Sequence, residues 1–238
     1  MNSGDFVYVG TELDLFAKAE NWKRYFTQFI RPYIAESVLE VGAGMGASTR
    51  ALWHSGVERW ICLEPDAGLC RQLEAQCAAG ELPAGCEARA GSLQDLPADD
   101  RFGTILYIDV LEHIEDDQQE VRWAAEHLHA GGYLVVLAPA HNWLFSPFDQ
   151  AVGHFRRYSR PALLELGVAG LRPVAARYLD SVGMLASMAN RVLLRASTPS
   201  VAQIVFWDRF MVPCSRLLDP LLAYSLGKTV VVVWQRQS

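Results

Sequence analysis

Between Ser37 and Ser55 the chain reads SVLEV, then GAGMG, then ASTRALWHS. A short apolar run enters three glycines at 42, 44 and 46, and the segment that leaves them has helical character. A strand that stops at glycines and resumes as a helix is the first half of a parallel crossover unit, because only a helix or long loop can return the chain for a second parallel strand. The unspaced apolar run also implies a strand covered on both faces.

The rest of the chain keeps that rhythm. Strands are expected at Ser37–Val41, Glu58–Leu63, Glu87–Ala90, Phe102–Ile108 and Tyr133–Leu137, with helices at Ala47–Ser55, Ala67–Ala79 and Asp116–His129 between them. Gly131-Gly132 reads as a C-cap signal closing the last of these helices. A short helix at Pro161–Leu166 and late strands at Arg172–Leu179 and Thr229–Gln235 follow. Residues 12–35 form a helical lead-in, with Leu13, Phe16, Trp22, Tyr25, Phe26, Phe29 and Ile30 at roughly helical spacing and Pro32 dividing it. Strands alternating with helices predict an α/β fold with a doubly wound, mostly parallel sheet.

One segment breaks the alternation. Asp180–Lys228 is mostly helical and apolar, where a hairpin would need only a few residues. Three readings stand: cover for the core, a lid over a substrate pocket, or an interfacial or dimer surface. Met184, Met188, Phe206, Trp207, Phe210 and Met211 would suit an aromatic or lipid-like ligand if it is a lid. The chain divides into the lead-in 12–35, a core at 37–139, a loop at 140–160 and the insertion at 180–228, all within one domain spanning 1–238.

Composition narrows the function. With 238 residues, 51% hydrophobic and 11% aromatic, the chain has ample material for a globular core, and the composition argues against disorder. The net charge of −6 argues against nucleic acid, which requires a basic stripe. The five cysteines, at 62, 70, 77, 86 and 214, have no zinc-like spacing and read as reduced thiols of a cytoplasmic protein. His127 and His129 flank Leu128 and point different ways, so no metal is expected. The N-terminus lacks signal-peptide character, and no uncharged apolar run reaches the ~18 residues of a membrane span.

Gly42-x-Gly44-x-x-Ala47 satisfies a dinucleotide fingerprint, which alone is weak. The same loop is also G-x-G-x-G, with Glu40 two residues before the first glycine. In that second reading LEVGAGMG resembles the first motif of the class I S-adenosylmethionine-dependent methyltransferases. Further matches follow in order between about Glu12 and Pro139. WICLE ends in Glu64, AGSLQDLP fits the third-strand end, YIDVLEHIED resembles the fourth-strand D-x-L-E-H motif, and HAGGYLVVLAP resembles the fifth strand with its preceding Gly-Gly turn.

The resemblance implies a seven-stranded sheet with a helical insertion before the last strand. It implies S-adenosylmethionine as cofactor, S-adenosylhomocysteine as product, and no metal. The cofactor residues it implies are Glu40 (toward the ammonium, through water), Gly42, Ala43, Gly44 and Gly46. Glu64 would hold the ribose hydroxyls with Pro65 beside it, Ser92 and Leu93 would lie near adenine, and Asp109 and Val110 near the methionine moiety with His113. An acid at Glu64 also occurs in dinucleotide enzymes, so the later motifs rather than Glu64 favour the phosphate-free cofactor.

Methyl transfer from a sulfonium needs orientation more than covalent help. A base is needed only for an acceptor that must lose a proton, and His113 and His154 are the candidates, with His141 the weaker third. The stretch HNWLFSPFDQAVGHFRRYSRPAL follows the fifth strand, where open α/β sheets bind ligands. Its Trp143, Phe148, Asp149, His154, Arg156, Arg157 and Tyr158 are candidates for holding the acceptor; alternatively Asp149 pairs with an arginine in a self-packed loop. The pattern of an acid followed by G-H-x-R-R-Y is similar to stretches in a subgroup of bacterial class I methyltransferases.

The expected partner is a small-molecule acceptor, with O-methylation favoured. Peripheral membrane contact and a dimer both remain open. Two rivals are kept: an NAD(P)-dependent oxidoreductase using Gly42, Gly44 and Ala47, and a non-catalytic partner protein of the same fold.

Overall fold

The computed structural model of the chain describes residues 18–189 and 200–237. The part of the lead-in before residue 18 lies outside them, as do residues 190–199 of the insertion. Seven strands form one sheet: β1 (Ser37–Val41), β2 (Arg59–Glu64), β3 (Cys86–Ala90), β4 (Phe102–Ile108), β5 (Leu128–Pro139), β6 (Leu171–Leu179) and β7 (Thr229–Arg236). Their spatial order is β3-β2-β1-β4-β5-β7-β6. The first five run parallel, while β7 lies antiparallel between β5 and β6. The order reverses direction beside β1 and β4, and the carboxyl ends of those strands are where such a sheet opens to ligands.

Successive strand residues feed opposite faces. Val38, Leu106, Val135 and Val233 pack on one side with Trp22, Tyr25 and Phe26 of helix α1 (Glu20–Ile30). Leu39, Ile105, Val136 and Val232 pack on the other side with Val121 and Ala124 of a helix over Asp117–Glu126 and Leu163 of a helix over Arg160–Glu165. A helix over Ala47–Leu52 follows β1 and one over Ala67–Ala79 follows β2; the side chain of Asp66 caps the latter by accepting from Gly68 and Leu69 N–H.

The Gly131-Gly132 pair corrects one expectation. It does not cap a helix: the preceding helix ends at Glu126, and β5 begins at Leu128 and runs through both glycines. Gly131 has φ +79°, and a Cβ on Gly132 would lie 2.9 Å from the carbonyl oxygen of Gly103. The β4–β5 register shifts between Phe102 and Thr104. The pair thus serves as an irregularity that lets two backbones approach, which sequence punctuation alone does not distinguish from a cap.

The insertion carries helices over Ser181–Ala189, Val201–Phe206 and Val212–Leu221, with a π-helical turn at Trp207–Met211 joining the last two. Ile204, Trp207 and Val212 join the core on the face of α1. Helix α1 has no cap of its own. Asp208, almost two hundred residues away, accepts from the N–H groups of Asn21 (3.2 Å) and Trp22 (2.8 Å) and does that work. The outer face of the insertion exposes Leu185, Phe206, Phe210, Leu217 and Leu221. Among the described residues no helix is long and apolar enough to cross a membrane.

Candidate functional site

The three loop glycines all take positive φ, +65° at 42, +56° at 44 and +70° at 46. Only glycine does this without strain, and the loop can therefore fold tightly over the end of β1. At Gly42 space matters too, since a Cβ there would come within 2.7 Å of Val110 Cγ2. The loop after β1 and the turn after β4 are in direct contact through that pair.

Four of the loop's N–H groups are already committed. Gly42 and Ala43 donate to the carbonyl of Leu63 (2.8 and 3.3 Å), and Gly46 donates to Ala43 (2.9 Å). Gly44 donates to the carboxylate of Glu64 at 2.8 Å. The other Glu64 oxygen accepts from Asp66 N–H at 3.0 Å. Each carboxylate oxygen has two acceptor sites, so Glu64 retains capacity for hydroxyl donors. Burial raises its pKa against the pull of those two N–H groups.

Glu40 lies at 2% exposure, and one of its oxygens accepts from both Thr49 Oγ1 and Trp60 Nε1. Loss of hydration pushes its carboxyl up to about 7 despite these donors. The acid expected near a cofactor ammonium is thus also the buried post that holds the following helix and β2 to β1.

At the third-strand end, Ser92 turns both its N–H and its hydroxyl to Asp95, closing a reciprocal cap. Leu93 corrects the expectation in one respect: at 1% exposure its side chain belongs to the core, so only its backbone can meet a ligand. Pro65 and Val110 are half-buried. Asp109 has φ +54° at the end of β4. It keeps accessible surface yet is crowded by protein, and lost hydration raises its carboxyl to about 6, against the charges of His154, Lys228 and Arg157.

The loop over 140–160 folds around Asp149. Pro147 opens a short helix, and the Ser146 N–H and hydroxyl both donate to the Asp149 carboxylate. Arg157 adds a two-pronged contact, Nε to Oδ1 at 2.7 Å and Nη2 to Oδ2 at 2.9 Å. His154 Nδ1 lies 2.9 Å from Oδ1. Asp149 is fully buried, and these partners hold its carboxyl far below the usual carboxylate range. The backbone of Phe155 donates to the carbonyl of Glu112 at 2.8 Å, which pins the loop to the turn after β4.

That pinning joins residues distant in sequence. The His113 and His154 rings meet edge to face with centroids 4.6 Å apart. Glu112 Oε1 lies 3.9 Å from His154 Nε2. Burial pushes His113 down to about 4.

The other acceptor candidates carry bonds within the protein, as the self-packed alternative expects. Tyr158 is 3% exposed, and its hydroxyl donates to Asp117 (2.7 Å) and lies 3.2 Å from the carbonyl of Leu111. Arg156 is paired with Asp117 and donates to the carbonyl of Glu115. Both are thus engaged within the protein, and Arg157 is held by Asp149. Trp143 is half exposed, with its ring 5.4 Å from that of His141, and Phe148 is half-buried. His141 stacks on Tyr178 with centroids 4.8 Å apart, and burial lowers its pKa.

Two groups at this edge have no place in the sequence reading. Glu112 stands inside the LEH triplet, but nothing local says that a histidine 42 residues later folds onto it. Lys228 sits just before β7, 3.4 Å from Asp180 and with its ammonium 3.8 Å from the Trp207 ring centroid.

Residues 39–136 match the family model described as a methyltransferase domain. No curated protein matches the chain. Among solved structures, a chain from the complex of the Haloferax volcanii Trm112 methyltransferase activator with a methyltransferase superposes with TM-score 0.64 at 16% identity, covering 98% of both chains. Coclaurine N-methyltransferase bound to N-methylheliamine and SAH superposes with TM-score 0.62 at 14% identity, over 92% of this chain and 72% of that one. The cyclase SpnF gives TM-score 0.61 at 14% identity, over 96% and 95%. At these identities the likeness is one of fold, and a fold hosts more than one reaction. The chain has the Rossmann-like fold of class I methyltransferases, and its residues 39–136 match a methyltransferase domain.

Proposed function

We propose that this chain transfers a methyl group from S-adenosylmethionine to an oxygen of a small-molecule acceptor. The carrying observation is that Gly44's N–H is taken by Glu64. A pyrophosphate needs the loop's N–H groups and a positive field. Here the four loop N–H groups described above donate within the protein. Glu64 ends β2 and Asp109 follows β4, the two strands on either side of β1, and that edge suits a cation-bearing cofactor with a ribose and disfavours a dinucleotide.

Bound S-adenosylmethionine supplies a methyl on a sulfonium and leaves as S-adenosylhomocysteine. The chain's residues do the remaining work. Glu64 accepts the ribose hydroxyls, and the Gly42–Gly46 backbone sets how closely the cofactor lies on β1. Asp109, with Glu40 behind the loop, supplies the negative field. Trp143 and Phe148 are assigned to flank the acceptor. Loss of the acceptor's hydroxyl proton is assigned to the cluster of Glu112, His113 and His154, as the new oxygen–carbon bond forms and the sulfur–carbon bond breaks.

Calorimetric titration tests the reading. Saturable binding of S-adenosylhomocysteine, absent for NAD(H), is expected. The opposite pattern overturns it.

A further inference from the structure

Glu112 is fully buried, and among the described residues neither of its carboxylate oxygens has a hydrogen-bond partner. A buried carboxylate in that state carries a large desolvation penalty unless something compensates it. The obvious cation, Arg157, is committed to Asp149 by two hydrogen bonds. What does face Glu112 is imidazole nitrogen. One ligand atom from each of Glu112, His113 and His154 lies within 4.8 Å of the others.

Both rings are tied down at one nitrogen. His154 Nδ1 is fixed by Asp149, which leaves Nε2 on the side of Glu112. A ring nitrogen of His113 hydrogen bonds the backbone of Gly153. Histidines that bind metals are oriented in this way, with the outer nitrogen on a carboxylate or carbonyl and the inner one presented as a lone pair. Lys228 and Arg157 are the cations that act on this edge; Arg157 is spent on Asp149, and among the described residues neither forms a hydrogen bond with Glu112.

We propose that Glu112, His113 and His154 form a binding site for one divalent transition-metal ion. Two imidazoles and a carboxylate suit zinc, manganese or ferrous iron rather than calcium or magnesium, which prefer all-oxygen shells. Ligands held at about 2.0–2.2 Å from a tetrahedral or octahedral ion stand about 3–4 Å apart, so small rotations of these side chains close the shell. Three protein ligands leave coordination positions for water or substrate. Resting on the methyl-transfer reading, the cluster would act on the acceptor through the bound ion rather than as a free base: the ion would acidify the acceptor hydroxyl, and its proton would leave to water.

Chelator-treated full-length protein is titrated with Co2+ and with Zn2+ in the absence of any cofactor. One equivalent is expected, with the visible absorption of Co2+ in a nitrogen–oxygen shell. Glu112→Gln and His154→Ala are each expected to weaken binding at least 100-fold, and Asp149→Asn by about 10–100-fold through the orientation of His154. Thermal melts show which variants are folded; should Asp149→Asn fail, Glu112→Gln, which keeps the side chain's size and replaces one ligand oxygen, decides alone. No Co2+ absorption in the folded wild type overturns the site. So does binding unchanged in Glu112→Gln and His154→Ala, which places the ion on surface histidines. S-adenosylhomocysteine binding without metal binding removes this site alone; metal binding without S-adenosylhomocysteine binding removes the function reading and leaves the site.

Discussion

Glu64, the last residue of β2, accepts a hydrogen bond from the N–H of Gly44 at 2.8 Å and so joins the second strand to the loop of the first. One carboxylate thereby shapes the loop and offers its remaining lone pairs to a ligand. Glu64→Ala removes both functions, and S-adenosylhomocysteine affinity is expected to fall by about 1.5–3 kcal/mol, the size of a charge-assisted hydrogen bond. Glu64→Gln, which keeps one acceptor oxygen, should lose less. Equal, unchanged affinities for both by calorimetry would place the ribose elsewhere.

Gly42 meets Val110 more closely than any side chain permits. Gly42→Ala places a methyl 2.7 Å from Val110 Cγ2 and holds alanine at φ +65°. The backbone strain alone costs about 1–2 kcal/mol. Cofactor affinity should fall at least tenfold. Adding Val110→Ala should relieve the clash but not the strain, recovering part of the loss. A Gly42→Ala protein with wild-type affinity and melting temperature would show that the loop and the β4 turn move apart freely.

The buried Glu40 gives stability a pH dependence of unusual sign. Its carboxyl titrates near 4.5 in the unfolded chain and at about 7 in the folded one. Between those values the folded state holds the extra proton, so this group's contribution to stability declines as pH rises from about 4.5 to about 7 and is level outside that window. Glu40→Gln keeps an acceptor for Thr49 and Trp60 but cannot ionise. Relative to wild type it should gain up to about 3 kcal/mol between pH 5 and pH 8. Denaturant melts across that range check it, and a constant difference between the two proteins would mean that Glu40 ionises as easily folded as unfolded.

The parts of this fold legible in sequence are those written locally. An apolar run stopping at Gly42, with helical residues after it, can become little other than a crossover, and Glu64 closes the strand that the pattern predicts. Gly131-Gly132 misled because a cap and a strand irregularity use the same residue for the same reason, its freedom from a Cβ. The acceptor loop was ambiguous for a different reason. Arg156, Arg157 and Tyr158 look available in sequence, and only the burial of Asp149 and Asp117 shows that they are taken. Glu112 and His154 meet through a backbone hydrogen bond from Phe155, a contact with no periodic signature.

The insertion is fastened by a single carboxylate whose loss should be severe. Asp219 is fully buried and accepts from the Tyr25 hydroxyl (2.7 Å), from Asp180 N–H (2.7 Å) and from Ser181 N–H (3.1 Å). It thus ties α1, the end of β6 and the insertion's first helix to its last. Truncation strands three donors away from water, which costs more than the bonds themselves contributed. Asp219→Ala is expected to destabilise the protein by about 3–5 kcal/mol, the range for removing one partner of a buried charged set. For a chain of this size that lowers the melting temperature by roughly 10 °C. Tyr25→Phe removes one donor and should cost about 1–2 kcal/mol. The double variant should cost less than the sum, because with Asp219 gone the tyrosine hydroxyl has become a liability that phenylalanine removes. Strict additivity in that cycle would mean that the two side chains do not share the hydrogen bond, and that α1 is held to the insertion by Trp22, Trp207 and the Asp208 cap alone.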